Sequence, residues 1–141
     1  MKKPRLSAAA LALGLAFTPP ALAAGNLASR PTALELTLRS DLTMSNYEYT
    51  LETGKYYRWD ITMAADGEEF AVAAPELWRN SWINEFKVGD LEIHMFGAPY
   101  QVEFDGPGLL QVWFVPIRPG DYDFYVPGHE SRGMKGKFIV R

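Results

Sequence analysis

The 141-residue sequence contains no cysteine. That absence removes disulfides, zinc-thiolate sites, iron-sulfur clusters, thiol redox chemistry and a thioether-linked lipid anchor from consideration. Histidine is scarce as well: the 2 present are not arranged as an HExxH pair. Beyond the first 23 residues serine is confined to Ser29, Ser40, Ser45, Ser81 and Ser131, none in a nucleophile-elbow or triad context. No glycine loop is built to cradle phosphate, and no carboxylate spacing singles out a glycosidase-like pair. These gaps argue against an enzyme. Long apolar runs are also missing after the N-terminus, where nothing approaches the roughly 20 residues of a transmembrane helix.

What is present begins with a processing signal. Lys2, Lys3 and Arg5 form a basic start, Ala8 to Phe17 is a short apolar run, Pro19-Pro20 breaks it, and Ala21-Leu22-Ala23 reads as an A-x-A site. This predicts a cleaved signal peptide over 1–23, a flexible leader over 24–32 and one domain over 33–141, in the manner of a bacterial periplasmic protein. Cleavage leaves 118 of the 141 residues. It removes three basic residues, so Lys+Arg falls from 14 to 11 against 17 Asp+Glu and the formal charge goes from −3 to −6. A net negative charge of this size argues against nucleic acid and anionic membrane as partners.

The mature chain is rich in aromatics (4 Trp, 7 Tyr, 8 Phe) and in turn formers (12 Gly, 10 Pro). Leu34 to Arg39 alternates apolar and polar with period two, which is a half-buried strand. Similar segments follow at 47–51, 56–63, 69–72, 81–88, 91–96, 100–104, 109–115, 122–126 and 135–140, punctuated by turns such as Thr53-Gly54, Asp66-Gly67, Gly89-Asp90 and Pro127-Gly128. The stretch from Ala73 to Asn80 is the least strand-like, and Pro75-Glu76-Leu77-Trp78 reads as a single helical turn. Short strands at this spacing predict an all-β Greek-key sandwich or barrel.

The most specific segment runs from Pro119-Gly120-Asp121-Tyr122-Asp123-Phe124 through Pro127-Gly128-His129 to Gly133-Met134-Lys135-Gly136 and the last strand. It resembles the C-terminal end of the cupredoxins, the blue-copper fold, in which a PGxYxF strand leads to a cysteine, then PGH, then GMxG. The resemblance implies a cupredoxin-like fold of seven to nine strands. It places Phe124 at the cysteine and Glu69 at the upstream histidine, so that His129 and Met134 alone carry over as ligands. A blue site needs a thiolate beside two histidines and a weak axial methionine. The resemblance therefore points to copper bound outside a type 1 site, and to storage or transfer in place of blue-copper electron transfer.

Glu69, or Glu68 beside it, and His94 with Met95 are the candidate further ligands. Cupredoxin-like domains without the cysteine also occur in periplasmic iron uptake, and Glu76 and Glu130 keep acidic ligation open. Each residue has a plainer reading too. His129 can serve to shape the turn, Met134 can be core, Glu69 can be a solvated turn charge, and His94, on one face with Glu92 and Phe96, can be a solvated strand residue. Arg132 and Lys135 flank the loop and would weaken cation binding. Trp78 and Trp82 form either an exposed recognition surface with Arg79 or a buried lid. The partners expected are thus a metal ion or, if the metal site has decayed, a periplasmic protein.

Overall fold

The computed structural model describes residues 29–64, 69–95 and 97–141. The segment 1–23, Glu68 and Phe96 lie outside the described residues. Among the described residues ten strands form: β1 (Thr32–Leu38), β2 (Glu48–Leu51), β3 (Tyr57–Met63), β4 (Phe70–Ala73), β5 (Ser81–Val88), β6 (Leu91–Ile93), β7 (Gln101–Phe104), β8 (Gly108–Pro116), β9 (Gly120–Tyr125) and β10 (Lys135–Val140), with a short α-helix, α1 (Pro75–Arg79), between β4 and β5. This is one strand more than the upper end of the expected range. β1 begins at Thr32, the last residue of the expected leader.

The strands make two mixed five-stranded sheets, ordered β1-β3-β8-β5-β6 and β2-β10-β9-β4-β7. The chain changes sheet after β1, β2, β3, β4, β6, β7 and β8, a Greek-key sandwich that does not close into a barrel. Alternation decides which residues face in. On β3, Tyr57, Trp59, Ile61 and Met63 are buried, and the antiparallel register with β8 sets Trp59 opposite Val112 and Ile61 opposite Leu110. On β1, Leu36 and Leu38 are buried and Leu34 packs against the core from its rim.

The centre of the core is aromatic. Trp59 from the first sheet stands edge-on to Phe124 and Phe138 of the second, at 5.5 and 4.9 Å between centroids, and Tyr49 stacks on Phe138 at 4.9 Å. Such offset and T-shaped pairs add to the burial of the rings themselves. Proline starts α1, which is one turn and a little more; Leu77 and Trp78 seal one end of the sandwich. Trp82 differs from Trp78. It lies on β5 and is 43% exposed.

At the other side, the edge strands β6 and β7 do not meet. Between them lies an open hollow of about 560 Å³ lined by Phe86, Val88, Ile93, Met95, Phe104 and Leu109, among others. Leu91, Ile93 and Met95, which alternation puts on one face, are 62%, 40% and 43% exposed.

Candidate metal centre

The loop from Val126 to Met134 joins β9 to β10, two central strands of the second sheet. Its shape follows from its residues. Pro127 supplies the fixed φ of a turn's second position, and Gly128, at φ +83°, supplies the left-handed third position that a type II turn requires. The turn is closed by the His129 N–H donating to Val126 O at 3.0 Å. A 3-10 turn over Glu130–Arg132 follows and ends on Gly133 at φ +94°, whose N–H donates to Glu130 O. His129 O then accepts from both Arg132 N–H (3.0 Å) and Met134 N–H (3.2 Å), and Val126 N–H donates to Met134 O (3.0 Å). The loop is therefore cross-braced by its own backbone.

Within this frame Met134 is fully buried, and the His129 ring rests edge-on against Phe70 at 5.4 Å. His129 Nδ1 is buried and has no hydrogen-bond partner among the described residues. A buried ring nitrogen without a partner costs about 1–3 kcal/mol, and such an atom in a native structure calls for an explanation. Of the flanking cations, Lys135 is neutralised by Asp123 at 2.9 Å. Nearby, the Tyr125 phenol is pushed up to about 12, first by its hydrogen bond with the Tyr100 hydroxyl and then by burial.

Phe124 lies in the core against Tyr49, Trp59 and Phe138, well inside the sandwich. The residue that follows β9 and bonds through its backbone to both His129 and Met134 is Val126. Tyr122, Phe124 and Val126 all face inward. A shift of two residues keeps the face and changes the depth, so the pattern alone could not separate them.

The other candidates fall elsewhere. Glu69 precedes Phe70, and the pairing of Phe70 with Phe104 turns Glu69, Glu103 and Asp105 outward together; one carboxylate oxygen of each lies within 4.8 Å of the others. His94 follows β6, the edge strand of the first sheet, and a ring nitrogen of His94 and one carboxylate oxygen each of Glu85 and Glu92 lie within 4.8 Å of one another, apart from the β9–β10 loop. Glu76 is engaged by Arg79 at 2.8 Å on α1, and Glu130 is exposed in the 3-10 turn. Glu85, Glu103 and Asp105 were not singled out from the sequence, because each becomes a neighbour only through cross-strand pairing.

No family model and no curated protein sequence matches the chain. Solved structures do. Reduced auracyanin from Roseiflexus castenholzii aligns at TM-score 0.52 and 18% identity, over 80% of this chain and 99% of that one. The McoA multicopper oxidase from Aquifex aeolicus aligns at 0.61 and 10% identity, over 86% of this chain and 32% of that one. A multicopper oxidase from Campylobacter jejuni aligns at 0.55 and 10% identity, over 79% and 30%. The chain thus spans most of the auracyanin but about a third of each oxidase. At these identities the likeness shows the fold, a cupredoxin-like sandwich, here in a chain with no cysteine for a type 1 thiolate.

Proposed function

We propose that the protein is a small exported, periplasmic copper-binding protein that stores or passes on the ion, with His129 and Met134 as its donors. The observation that carries this reading is the orphaned Nδ1 of His129, a lone pair or proton with nothing to meet, in a loop braced at both ends by Met134. Copper is the cargo that suits the set. An imidazole with a thioether favours Cu(I). With Val126 where a thiolate would be needed, the loop lacks the ligand of a blue centre. Two donors from one loop leave coordination positions open to a third ligand or to an acceptor protein, which suits modest binding and release.

The test is titration of the purified protein with Cu(I) under a competing chelator, beside His129→Ala and Met134→Ala. One equivalent bound by the parent, with affinity at least tenfold weaker in each variant, supports the reading. Binding no stronger than that of an unrelated acidic protein would overturn it.

One feature favours the second reading, a metal-free cupredoxin-like module working through a protein partner: the apolar hollow between β6 and β7, with Val88, Ile93, Met95 and Leu109 left exposed. In that case Met95→Asp abolishes partner binding and His129→Ala leaves it unchanged.

A further inference from the structure

The outer face of the first sheet carries a set of side chains that the loop chemistry does not use. The β5–β6 hairpin pairs Phe86 with Ile93, Lys87 with Glu92 and Val88 with Leu91. Carried one step further, that register sets Glu85 opposite His94. Phe86 points into the core, so Glu85, Lys87, Glu92 and His94 share the opposite face. One carboxylate oxygen from each of Glu85 and Glu92 and a ring nitrogen of His94 lie within 4.8 Å of one another.

A second, separate observation concerns the histidine. The β5–β8 register slips between Ile83 and Glu85, which leaves Asn84 as the extra residue of a bulge. Its carbonyl meets His94 Nδ1 at 3.2 Å, while its side-chain amide donates to the Tyr56 hydroxyl at 3.1 Å. A carbonyl can only accept, so Nδ1 is the donor, which in the neutral ring leaves the lone pair on Nε2. This is the arrangement by which metal-ligating histidines are held, with one ring nitrogen donating to a carbonyl and the other left for the ion.

We propose that Glu85, Glu92 and His94 form a surface site for a divalent transition ion, Zn(II) or Cu(II), distinct from the His129 loop. One imidazole and two carboxylates are borderline-to-hard donors. They suit these ions and have no thioether to hold Cu(I). Three protein ligands leave at least one position for water or for a donor from another molecule. Lys87 is the built-in competitor: its ammonium stands 3.4 Å from Glu92 Oε1, and the ion displaces it from that carboxylate.

The experiment titrates the full protein with Zn(II) and separately with Cu(II), with Glu85→Gln, His94→Ala, Lys87→Gln and His129→Ala in parallel. The imidazole resonances are followed by NMR, where only 2 histidines have to be told apart. All the substituted side chains of this site are at least partly exposed, so the variants keep the fold. The expected result is one Zn(II) equivalent weakened about tenfold or more by Glu85→Gln and His94→Ala, untouched by His129→Ala, and tightened severalfold by Lys87→Gln. The His94 imidazole shifts with Zn(II) and the His129 imidazole does not. Unchanged affinity in His94→Ala, or a Zn(II) response at His129 alone, overturns the proposal. Since the His129 loop is tested with Cu(I), failure of either site leaves a separate record.

Discussion

The imidazole of His129 stands edge-on to the ring of Phe70, with planes at 75° and centroids 5.4 Å apart. Phe70 is buried at the start of β4, so this contact ties the β9–β10 loop to a neighbouring strand and sets the orientation of the histidine. Phe70→Leu keeps the position apolar and removes the flat ring. It should cost about 1 kcal/mol of stability. It should also weaken Cu(I) binding about three- to tenfold, the equivalent of letting one side chain rotate freely. A melt and a chelator competition on the same sample measure both. Unchanged affinity would mean that the backbone bonds of the loop suffice.

Gly136 marks how tightly the second sheet is filled. A Cβ there would run into the Phe124 ring and would stand 2.6 Å from Tyr47 O, a backbone atom. The ring cannot swing aside, because Tyr49, Trp59 and Phe138 surround it. Gly136→Ala should therefore destabilise by about 2–3 kcal/mol through overpacking, read as a fall in the denaturation midpoint. Gly128→Ala, with open space around its Cβ, has only its positive φ to pay for and should lose about 1 kcal/mol.

Stability should fall at high pH through Tyr49. Burial pushes its phenol up to about 12, while the same group in the unfolded chain titrates near 10. Between these values the unfolded state has released the proton and the folded state holds it. The contribution is thus complete below pH 10 and is lost as pH rises toward 12, by about 2–3 kcal/mol in all. Tyr49→Phe forfeits the hydrogen bond to Glu35 O, 2.6 Å long, and should be about 1 kcal/mol less stable near neutrality. Urea melts from pH 7 to 11 should show that gap narrowing above pH 10. A constant gap would show that Tyr49 is not the group responsible.

Strand segments were legible in the chain where alternation or aromatic content meets glycine or proline turns, from Leu36 and Leu38 on β1 to Phe138 and Val140 on β10, although the expected count was seven to nine. The short helical turn at Pro75 was legible for the same reason, since proline opens it and a strand pattern resumes at Ser81. The site was less so. Depth along this segment does not appear in the alternation, so the pattern matches Phe124 to the cysteine although the core closes around it. His94 was visible as a candidate, but its companion Glu85 is nine residues away and becomes its neighbour only through the hairpin register, which also creates the bulge at Asn84. Exposure of Leu91, Ile93 and Met95 was hidden because alternation names a face without saying whether anything covers it.

The depth difference between Phe124 and Val126 can be tested by returning the missing thiol. Val126 is buried, but its backbone meets both His129 and Met134. Val126→Cys would thus present a sulfur beside those two donors at a cost of about 1 kcal/mol, since the volumes are close. On addition of Cu(II) this variant should develop an intense visible absorption from thiolate-to-copper charge transfer, and a further His129→Ala substitution should abolish it. Phe124→Cys removes a ring from the centre of the aromatic cluster and should cost about 3 kcal/mol or more. Its sulfur would lie in the core, one inward-facing position deeper than the loop, so no such band should form. A band in Phe124→Cys and none in Val126→Cys would move the vacant thiolate position back into the core and, with it, the geometry assigned to His129 and Met134.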